Sequence, residues 1–597
     1  MNGLAILSDA TETPRVAERP IAPRRRRRVR DLLTGENIGK TLAVLALLYL
    51  VLGPIAMLLL ASVEDTTNGI TIRSPIPWST ENFREMFTES ETYTVLLTTA
   101  VFAAGALFVS FVLGLLFAWL VERTDMPGPG LVFVLVVAPS GMPGLISAIA
   151  WSLLINPTNG YVNEAVRGLF GLQGEGPFNA YTLPAMIFVQ GLAMVPLTFL
   201  LITGSLRGMS ASFEEAARAS GAPPAMVIRK VTLPLLRPVL LGAVVYQFVT
   251  VIEAVDIPLT LGMPGNITVF STHVYRITHP AFGLPNYGLS SAYGILLMLL
   301  ALAPLLLYNR IVRRSDEFAT VSGKAFRPRI LGLGRWRWVA FGGAMVYALI
   351  SFVLPMLVLV VASVEPYIGA LSWSQLQHVT LDAYRDTLSS ELFHNSLIDT
   401  LVMGVASAGL AMVLSVALSW IIVRSRSRYA PVVDTLAFVP HAIPGVVIGL
   451  AVLLLYLLLP IPLYGTIWII VVAMATQYLS LGTRLSSGGI AQIQKGLEEA
   501  AHASGAGTAK MWWHVLLPLL RPVLLNGFLL IFLASIKNLT LPLILQSPDN
   551  VVMSTLIWHR WDYGDVSGAA VLSTVLTTVT VGAAIALRRL HGSAVRI

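Results

Sequence analysis

The sequence predicts an all-α integral membrane protein with twelve transmembrane helices, arranged as two parallel six-helix repeats. Three observations predict this fold class. The 597 residues have a mean hydropathy of +0.74, with 55% apolar and 12% charged residues, and a soluble protein carries about twice that charge. Apolar runs of about 20 residues, the length a bilayer core needs, recur along the chain. The second half of the chain repeats the first.

Hydropathy places twelve candidate spans. They lie near residues 41–63, 94–121, 130–154, 181–205, 238–262, 288–309, 338–363, 396–423, 432–459, 463–483, 522–545 and 567–587. Prolines interrupt spans three and nine, where a P-x-x-x-P-G motif begins at Pro139 and again at Pro440. We expect these motifs to kink the two spans, since proline removes a helical hydrogen bond. A role in gating is the secondary interpretation.

The basic residues indicate how the chain is oriented. With the N-terminus inside, 33 of the 40 lysines and arginines fall in inside segments and six in outside loops. Because basic residues are retained on the cytoplasmic side, we predict that both termini are cytoplasmic. The net charge of +8 therefore reflects membrane orientation, and nucleic acid is not an expected partner.

The repeat has a constant offset of 301 residues in the first part of each half. Trp119, for example, matches Trp420, and the two proline motifs match at the same offset. Further on the offset is 284, and 19 of the 28 residues from Glu214 to Leu241 are identical to their counterparts. We attribute the change to a longer outside loop, Asn156–Ala180, in the first half. Two parallel halves imply a pseudo-two-fold axis along the membrane normal.

The chain divides into four segments on this evidence. We predict a disordered basic cytoplasmic tail (residues 1–37), a first six-span half (38–309), a basic cytoplasmic linker (310–337) and a second six-span half (338–590).

The best-matched part of the repeat is the inside loop between spans four and five, with its equivalent between spans ten and eleven. The two copies read EEAARASGAPPAMVIRKVTLPLLRP from Glu214 and EEAAHASGAGTAKMWWHVLLPLLRP from Glu498. Acids in a first helical turn complement the helix dipole, and Gly221 and Gly505 suit a C-cap with positive φ. A water-facing loop is otherwise free to vary, so the match indicates a shared partner surface. A repeated turn that merely joins two helices is the alternative.

The ends of these loop helices can also be placed. Ser212 and Glu215 form an S-x-x-E capping box at the start of the first, and Gly496 holds the equivalent N-cap position in the second. We expect the chain to re-enter the membrane at Pro234 and Pro518. The first helix presents small residues that could enter a groove: Ala216, Ala217 and Ala219.

These loops resemble the signature loop of bacterial ABC importer permeases, which reads E-A-A, three residues, Gly, nine residues, an aliphatic residue, one residue, L-P. The matching residues are Glu215, Ala216, Ala217, Gly221, Val231, Leu233 and Pro234, and then Glu499, Ala500, Ala501, Gly505, Val515, Leu517 and Pro518. The resemblance covers nearly the whole chain after the tail. It implies the type I importer (MetI-like) fold, in which each loop forms a coupling helix that docks onto an ATPase subunit.

The resemblance also implies the partners. The chain would be a transport subunit of the bacterial plasma (inner) membrane, not an enzyme, and would bind no cofactor itself. Two copies of a cytoplasmic ATPase would bind ATP-Mg, and an extracytoplasmic binding protein would deliver the solute. The sequence contains no G-x-x-x-x-G-K-[ST] motif for ATP. The expected coupling residues are Glu214, Glu215, Ala216, Ala217, Gly221, Glu498, Glu499, Ala500, Ala501 and Gly505.

Ionisable residues within spans mark the candidate pathway. Span five contains Glu253 and Asp256, and span eleven contains Lys537, which Asn538 follows. At the 284 offset Glu253 falls on Lys537, so opposite charges occupy pseudo-symmetric positions. We hypothesise that these two residues form a cross-half ion pair that helps to close the pathway. Local satisfaction of each by backbone or water is the alternative.

A further resemblance suggests the solute. The stretch IKNLTLPLIL from Ile536 resembles the K-E-L-P-x-T-L region of fused permeases for ferric iron, thiamine, polyamines and 2-aminoethylphosphonate, although Asn538 replaces the usual acid. The stretch from Glu253 to Gly262 and the linker segment TVSGKAFRPR resemble ferric-iron permeases, so we expect ferric iron. Iron prefers oxygen ligands, and those available are Glu253, Asp256, Tyr246 and Tyr275. No close-spaced cluster predicts a metal site, and we expect the histidines near span ends to be interface residues: His273, His441 and His559.

Two other classes of protein remain as alternatives. A secondary transporter can also have twelve spans in parallel halves, but it would have no use for two matched acidic loops. A membrane enzyme would need a catalytic constellation, which the sequence does not contain. The sequence therefore favours the importer.

Overall fold

The computed structural model describes residues 35–65, 77–209, 212–312, 331–365, 379–425 and 428–590. In these ranges the regular structure is helical, and β-type pairing is limited to two isolated bridges. Most of the predicted tail and linker lies outside the described residues.

The helices of the first half run in chain order from one apolar span to the next, with shorter helices between them. They are α1 (Gly35–Ser62), α2 (Glu81–Thr88), α3 (Ser90–Arg123), α4 (Pro129–Val137), α5 (Gly144–Ile155), α6 (Tyr161–Phe170), α7 (Leu183–Gly208), α8 (Ser212–Ala219), α9 (Pro224–Val227), α10 (Leu233–Glu253), α11 (Phe270–Thr278) and α12 (Tyr287–Val312).

The helices of the second half are α13 (Trp336–Ala348), α14 (Leu354–Val364), α15 (Asp382–Ser389), α16 (Glu391–Arg424), α17 (Ala430–Phe438), α18 (Gly445–Leu458), α19 (Ile467–Gln492), α20 (Lys495–Ala503), α21 (Thr508–Met511), α22 (Leu517–Lys537), α23 (Thr540–Leu545), α24 (Met553–Asp562) and α25 (Val566–Leu590). The second half repeats the order of the first with three differences: it has no counterpart of α6, its first span is divided into α13 and α14, and α23 takes the place of the π-helical turn Pro258–Gly262. A π-helical turn, Leu349–Val353, joins α13 and α14 into one span.

Ten helices of the described residues are long and apolar enough to cross a membrane, and two further pairs are bent. In the first pair, α4 continues through the 3₁₀ turn Ala138–Gly141 and bends by 96° into α5, and in the second α17 bends by 106° into α18. Each break falls at the predicted proline motif, where Pro143 and Pro444 take extended backbone angles. Counting each bent pair as one crossing gives twelve spans, which confirms the predicted fold class.

Three pairs of equivalent spanning helices have the same lengths. Helices α3 and α16 each have 34 residues, α7 and α19 each have 26, and α10 and α22 each have 21. The change of offset between them arises in the loop after the bent pair. That loop contains the additional helix α6 in the first half, whereas in the second half residues 459–466 connect α18 directly to α19.

The first helix of each half packs on the other half. On α1, the Tyr49 hydroxyl donates to the Tyr456 hydroxyl of α18 at 3.0 Å, and Leu47 is fully buried in a cluster with Leu418 of α16. On α13, the ring of Tyr347 lies 5.0 Å from that of Phe117 on α3. The two halves are therefore interlocked, not merely tethered.

Spans two and four of each half approach closely at a glycine. A Cβ on Gly114 of α3 would lie 2.6 Å from the Thr198 side chain of α7. At the equivalent place in the second half the glycine is on the other helix, because a Cβ on Gly482 of α19 would lie 2.4 Å from Ser415 Oγ of α16. Small residues at such contacts let helix backbones approach within the membrane.

Candidate coupling loops and transmembrane pathway

The two inside loops fold into short helices that end in the same way. Helix α8 ends in a Schellman motif at Gly221, whose φ is +83°, and the Ala222 amide donates to Ala217 O at 3.1 Å. Helix α20 ends identically at Gly505, with φ of +81° and an Ala506 to Ala501 hydrogen bond of 3.0 Å. The predicted positive-φ glycine caps are confirmed.

The starts of the two helices differ from each other. Helix α8 begins at Ser212, within one residue of the predicted start. Helix α20 begins at Lys495, with Gln494 as its N-cap. The predicted N-cap at Gly496 is therefore wrong, because this residue already lies in the first helical turn.

The acidic and alanine residues of the loops face two directions. The exposed face carries Glu215 and Ala216 on α8, and Glu499 and Ala500 on α20, while Ala217 and Ala501 are half-buried. Glu214 is only 6% exposed, and the Glu498 side chain is 12% exposed. The first glutamate of each E-E pair thus points into the protein, and the second is free to meet a partner.

The C-terminal ends of α10 and α22, in spans five and eleven, meet the bent helices of the opposite half. Glu253, the last residue of α10, accepts a hydrogen bond at Oε2 from the amide of Gly445, 3.1 Å away. Gly445 is the first residue of α18. A carboxylate is favourable at a helix N-terminus, because the free amides there carry partial positive charge.

Lys537 makes the reciprocal contact. It is the last residue of α22, and its Nζ donates to the Ser140 carbonyl at 2.9 Å. Ser140 lies in the 3₁₀ turn that ends the first arm of the other bent span. Carbonyls at a helix C-terminus carry partial negative charge, which favours an ammonium group. The same turn is held by Thr580 of α25, which donates to Gly141 O at 3.0 Å.

The proposed ion pair between Glu253 and Lys537 does not form in the structure. Each side chain instead binds a backbone group in the half to which it does not belong. Both side chains are therefore satisfied by backbone groups, as in the alternative interpretation, but these groups belong to the opposite half. The negative charge of Glu253 meets a helix N-terminus and the positive charge of Lys537 meets a helix C-terminus, so each charge suits the helix end that it contacts.

Asp256 and Asn538, the other predicted pathway residues, hold their own halves together. The Asp256 carboxylate sits at the start of α5, so close that a Cβ on Gly144 would lie 2.5 Å from its Oδ2. Asn538 accepts at Oδ1 from the Leu541 amide at 3.1 Å, and its Nδ2 lies 3.2 Å from the Tyr478 hydroxyl. Glu253, Lys537 and Asp256 thus contact the bent spans. Asn538 instead stabilises the turn into α23.

The aromatic and histidine residues near the pathway make contacts typical of interfaces. Tyr246 of α10 stacks on His441 of the second bent span, with ring centroids 5.0 Å apart. Tyr275 stacks on His279, and His559 bonds to Gln546 at 2.9 Å. His273 Nδ1 lies 3.6 Å from a carboxylate oxygen of Glu91.

In the described ranges, no group of three or more His, Cys, Asp and Glu side chains is placed to hold a metal ion.

The sequence did not identify the backbone groups that Glu253 and Lys537 contact. A carbonyl at Ser140 and an amide at Gly445 are present whatever the side chain, so residue type gives no direct signal. The proline motif was the available indication, since it marks both places. It predicts the kink correctly but does not reveal what the free ends of the broken helices bind.

Comparison with known proteins gives the family. The family of binding-protein-dependent transport system inner membrane components matches residues 110–317 and again residues 411–595. The ferric transport system permease protein FbpB of Actinobacillus pleuropneumoniae is 25% identical, over 81% of this chain and 69% of its own length. The putative ferric transport system permease protein FbpB 1 of Haemophilus influenzae is also 25% identical, over 76% and 71%.

A shorter relative matches part of the chain. The trehalose/maltose transport system permease protein MalF of Thermococcus litoralis is 28% identical over 40% of this chain and 78% of its own length. The matched family segments together make up more than half of the chain, with one in each six-span half. The chain therefore belongs to the inner membrane components of binding-protein-dependent transport systems, as a tandem fusion of two ABC importer permease units.

Proposed function

We propose that the chain forms the whole membrane pathway of an importer that carries ferric iron into the cytoplasm. The observation that carries this proposal is the similarity to ferric transport permeases across both halves. An extracytoplasmic binding protein would deliver the solute to the outer face. Two copies of a cytoplasmic ATPase would supply the energy, one on each coupling helix, with both chain termini on the same side as the ATPases.

The electrostatics of the bent spans support a cationic solute. In transporters with broken helices, a free helix N-terminus is where an anionic group binds. Here the N-terminus of α18 is occupied by Glu253, and Asp256 lies against that of α5. The two carboxylates outnumber the single ammonium of Lys537. An anion would therefore meet repulsion at both places, and a cation would not.

The same geometry suggests how the pathway opens. The contacts of Glu253 and Lys537 tie each half to the broken span of the other, so the two halves cannot separate at this level while both contacts exist. Rotation of the halves, driven from the coupling helices, would break them and expose Glu253 and Asp256 to the solute. Re-forming the contacts would close the pathway behind it. This is the alternating access that parallel repeats make possible.

Polyamines and thiamine are the second candidates, because they are cationic and the pathway charge suits them equally. 2-Aminoethylphosphonate fits less well, since its phosphonate would face the two carboxylates. A secondary transporter remains the alternative of another class, and the family assignment weighs against it.

Uptake assays on cells that carry or lack the chain test which solute is transported. Radiolabelled ferric iron, putrescine, thiamine and 2-aminoethylphosphonate are supplied in separate assays. We expect loss of the chain to abolish iron accumulation and to leave the other three unchanged. Loss of a different solute with normal iron uptake would reject ferric iron but not the importer class.

Substitution of the exposed glutamates tests whether ATPase subunits bind the coupling helices. We expect the double variant Glu215→Gln/Glu499→Gln to release the ATPase subunits during purification and to stop uptake, because both side chains project from the coupling helices. Glu81→Gln, on the exposed outer helix α2, is the matched control and should behave as wild type. Uptake that continues in the double variant and in a strain without the ATPase would favour the secondary transporter.

A further inference from the structure

Each coupling helix is fastened to the membrane domain by a buried arginine–glutamate pair. In the first half, Arg123 is the last residue of α3 and its side chain is 2% exposed. Its Nε lies 3.4 Å from Glu214 Oε1 of the coupling helix α8. Its Nη2 donates to the Leu206 carbonyl, near the end of α7, at 2.8 Å. One side chain therefore joins span two, span four and the coupling helix.

The second half repeats this junction at equivalent positions. Arg424, the last residue of α16, lies 2.7 Å from Glu498 Oε1 of the coupling helix α20. It also donates to the Ile490 carbonyl of α19 at 3.0 Å. The arginines are related by the 301 offset, and the glutamates and the carbonyls by the 284 offset. Such a junction, preserved in both repeats although the surrounding residues differ, indicates a shared role.

We propose that these two pairs are positioning elements that transmit the movement of each coupling helix to spans two and four of its half. The proposal rests on the function proposed above, because the movement is that of ATPase subunits. Arg123, Arg424, Glu214 and Glu498 act on the pathway through the spans they join. They do not contact the ATPase, because all four side chains are turned into the protein.

The physical chemistry of the pair suits rigid transmission. Arginine has a planar group with several fixed donors, so it can hold a carboxylate and a carbonyl at the same time in one geometry. A charged pair that is removed from water is screened little and is costly to break, since separation leaves each charge buried alone. The coupling helix therefore follows the ends of the spans as one body.

The two junctions differ in their remaining contacts, since Arg424 Nη2 also donates to the Ile493 carbonyl at 2.6 Å, whereas the first coupling helix is held by an additional residue. Thr232, at the entrance to α10, donates to Glu214 Oε1 at 2.9 Å, and the equivalent residue in the second half is Leu516. The first coupling helix is thus also tied to span five, which ends at Glu253. We expect the first pair to have the larger effect on transport.

The test separates the coupling of transport to ATP hydrolysis from the binding of the ATPase subunits. Wild-type and Glu214→Gln/Glu498→Gln importers are purified with their ATPases and binding protein and placed in proteoliposomes. The double variant should retain its ATPase subunits within about twofold but take up at least about tenfold less solute per ATP hydrolysed. The Glu214→Asp/Glu498→Asp variant keeps the charge and should recover part of this loss. Wild-type coupling in the Gln variant would overturn the proposal, and so would loss of the ATPase subunits, which would make these glutamates docking residues.

A nearby ion pair provides the matched control. Arg207 of α7 and Glu122 of α3 lie 2.8 Å apart and join the same two spans without touching a coupling helix. Glu122→Gln should therefore leave the uptake per ATP unchanged. An equal loss in this control would mean that any ion pair between the spans matters, which would contradict a specific role for the coupling-helix pair.

A structural measurement separates this inference from the proposed function. The chain contains no cysteine, so spin labels can be placed at Ala219→Cys on α8 and Leu116→Cys on α3 without further changes. In the permease alone, we expect one narrow distance distribution, which broadens in the Glu214→Gln variant. An unchanged distance distribution would overturn the rigid link, whether or not the importer transports solute. The measurement needs only the permease, so it can be made even if the Gln variant does not assemble with its ATPase subunits.

Discussion

At the scale of single residues, the charges in the membrane act on backbone groups. Glu253 binds an amide at the start of one helix, and Lys537 binds a carbonyl at the end of another. The sign of each charge suits the dipole of the helix end that it meets. The two residues occupy equivalent positions in the repeat, so the chain carries one acid and one base where a symmetric dimer would carry two of the same.

This arrangement predicts that Glu253 and Lys537 act independently. We expect the effects of Glu253→Ala and Lys537→Ala on the free energy of unfolding in detergent to add within about 0.5 kcal/mol, because the residues share no partner. The double reversal Glu253→Lys/Lys537→Glu should be worse than either single reversal, since each new charge would face the wrong helix end. Rescue by the double reversal would instead support a direct ion pair.

Gly144 is a second residue whose identity the packing dictates. Alanine there would place its Cβ 2.5 Å from Asp256 Oδ2, whereas alanine at Gly130 would meet no atom within 4 Å. We expect Gly144→Ala to lower the free energy of unfolding by about 1–3 kcal/mol, as overpacking does, and to reduce uptake.

Thermal unfolding of the purified permease compares the two variants. Gly130→Ala, in helix α4, serves as the control and should keep wild-type stability and uptake. Equal stability of Gly144→Ala and the control would mean that Asp256 is not confined at the start of α5.

At the scale of elements, spans two and four pack closely at a glycine in both halves, but the glycine is on span two in the first half and on span four in the second. Gly114 of α3 faces Thr198 of α7, while Ser415 of α16 faces Gly482 of α19. In the first half the Thr198 hydroxyl also bonds to Ser110 at 2.6 Å and accepts a hydrogen bond from Gln247 of α10. Spans two, four and five of this half are therefore joined by a buried polar network as well as by close packing.

The exchanged glycines predict a compensating pair of substitutions. Gly114→Ser alone should destabilise the permease, because its Cβ would overlap the Thr198 side chain at 2.6 Å. Adding Thr198→Gly reproduces the arrangement of the second half and should recover part of the loss, although the hydrogen bonds of the hydroxyl are not restored. The melting temperature in detergent measures both variants. A double variant less stable than Gly114→Ser would show that the hydroxyl network outweighs the contact.

At the scale of the whole molecule, the first helix of each half stabilises the other. Helix α1 packs on α16 and α18, and α13 packs on α3. The halves also exchange the contacts of Glu253, Lys537 and Thr580. The connection in sequence is thus only one of several links between the halves.

This interlocking predicts that the covalent fusion is dispensable for assembly. When residues 1–320 and 321–597 are expressed as two chains, we expect the tagged first half to bring down the second in roughly equal amounts. The same experiment without residues 1–62 should recover less of the second half, because α1 no longer covers α16 and α18. Failure of the intact halves to associate would show that the linker, and not the packing, holds them together.

The local features of this chain were determined by its sequence. Twelve spans, two bent helices at the proline motifs, the enlarged loop that contains α6, and the glycine caps at Gly221 and Gly505 all follow from hydropathy, spacing or backbone preference. Each depends on residues close together in the chain. The ends of spans five and eleven were misplaced, because the apolar runs continue to residues 262 and 545 whereas the helices end at Glu253 and Lys537. The start of α20 was also misplaced, because Gly496 is a weak cap signal.

The tertiary structure decided which groups meet. The pattern assigned Glu214 and Glu498 to a partner surface and paired Glu253 with Lys537, whereas folding turns the first two glutamates towards Arg123 and Arg424 and directs the other two residues to backbone groups of the opposite half. These contacts join residues tens to hundreds of positions apart. A backbone amide or carbonyl has no residue type to recognise, and a helix face is selected only when the neighbouring spans pack against it.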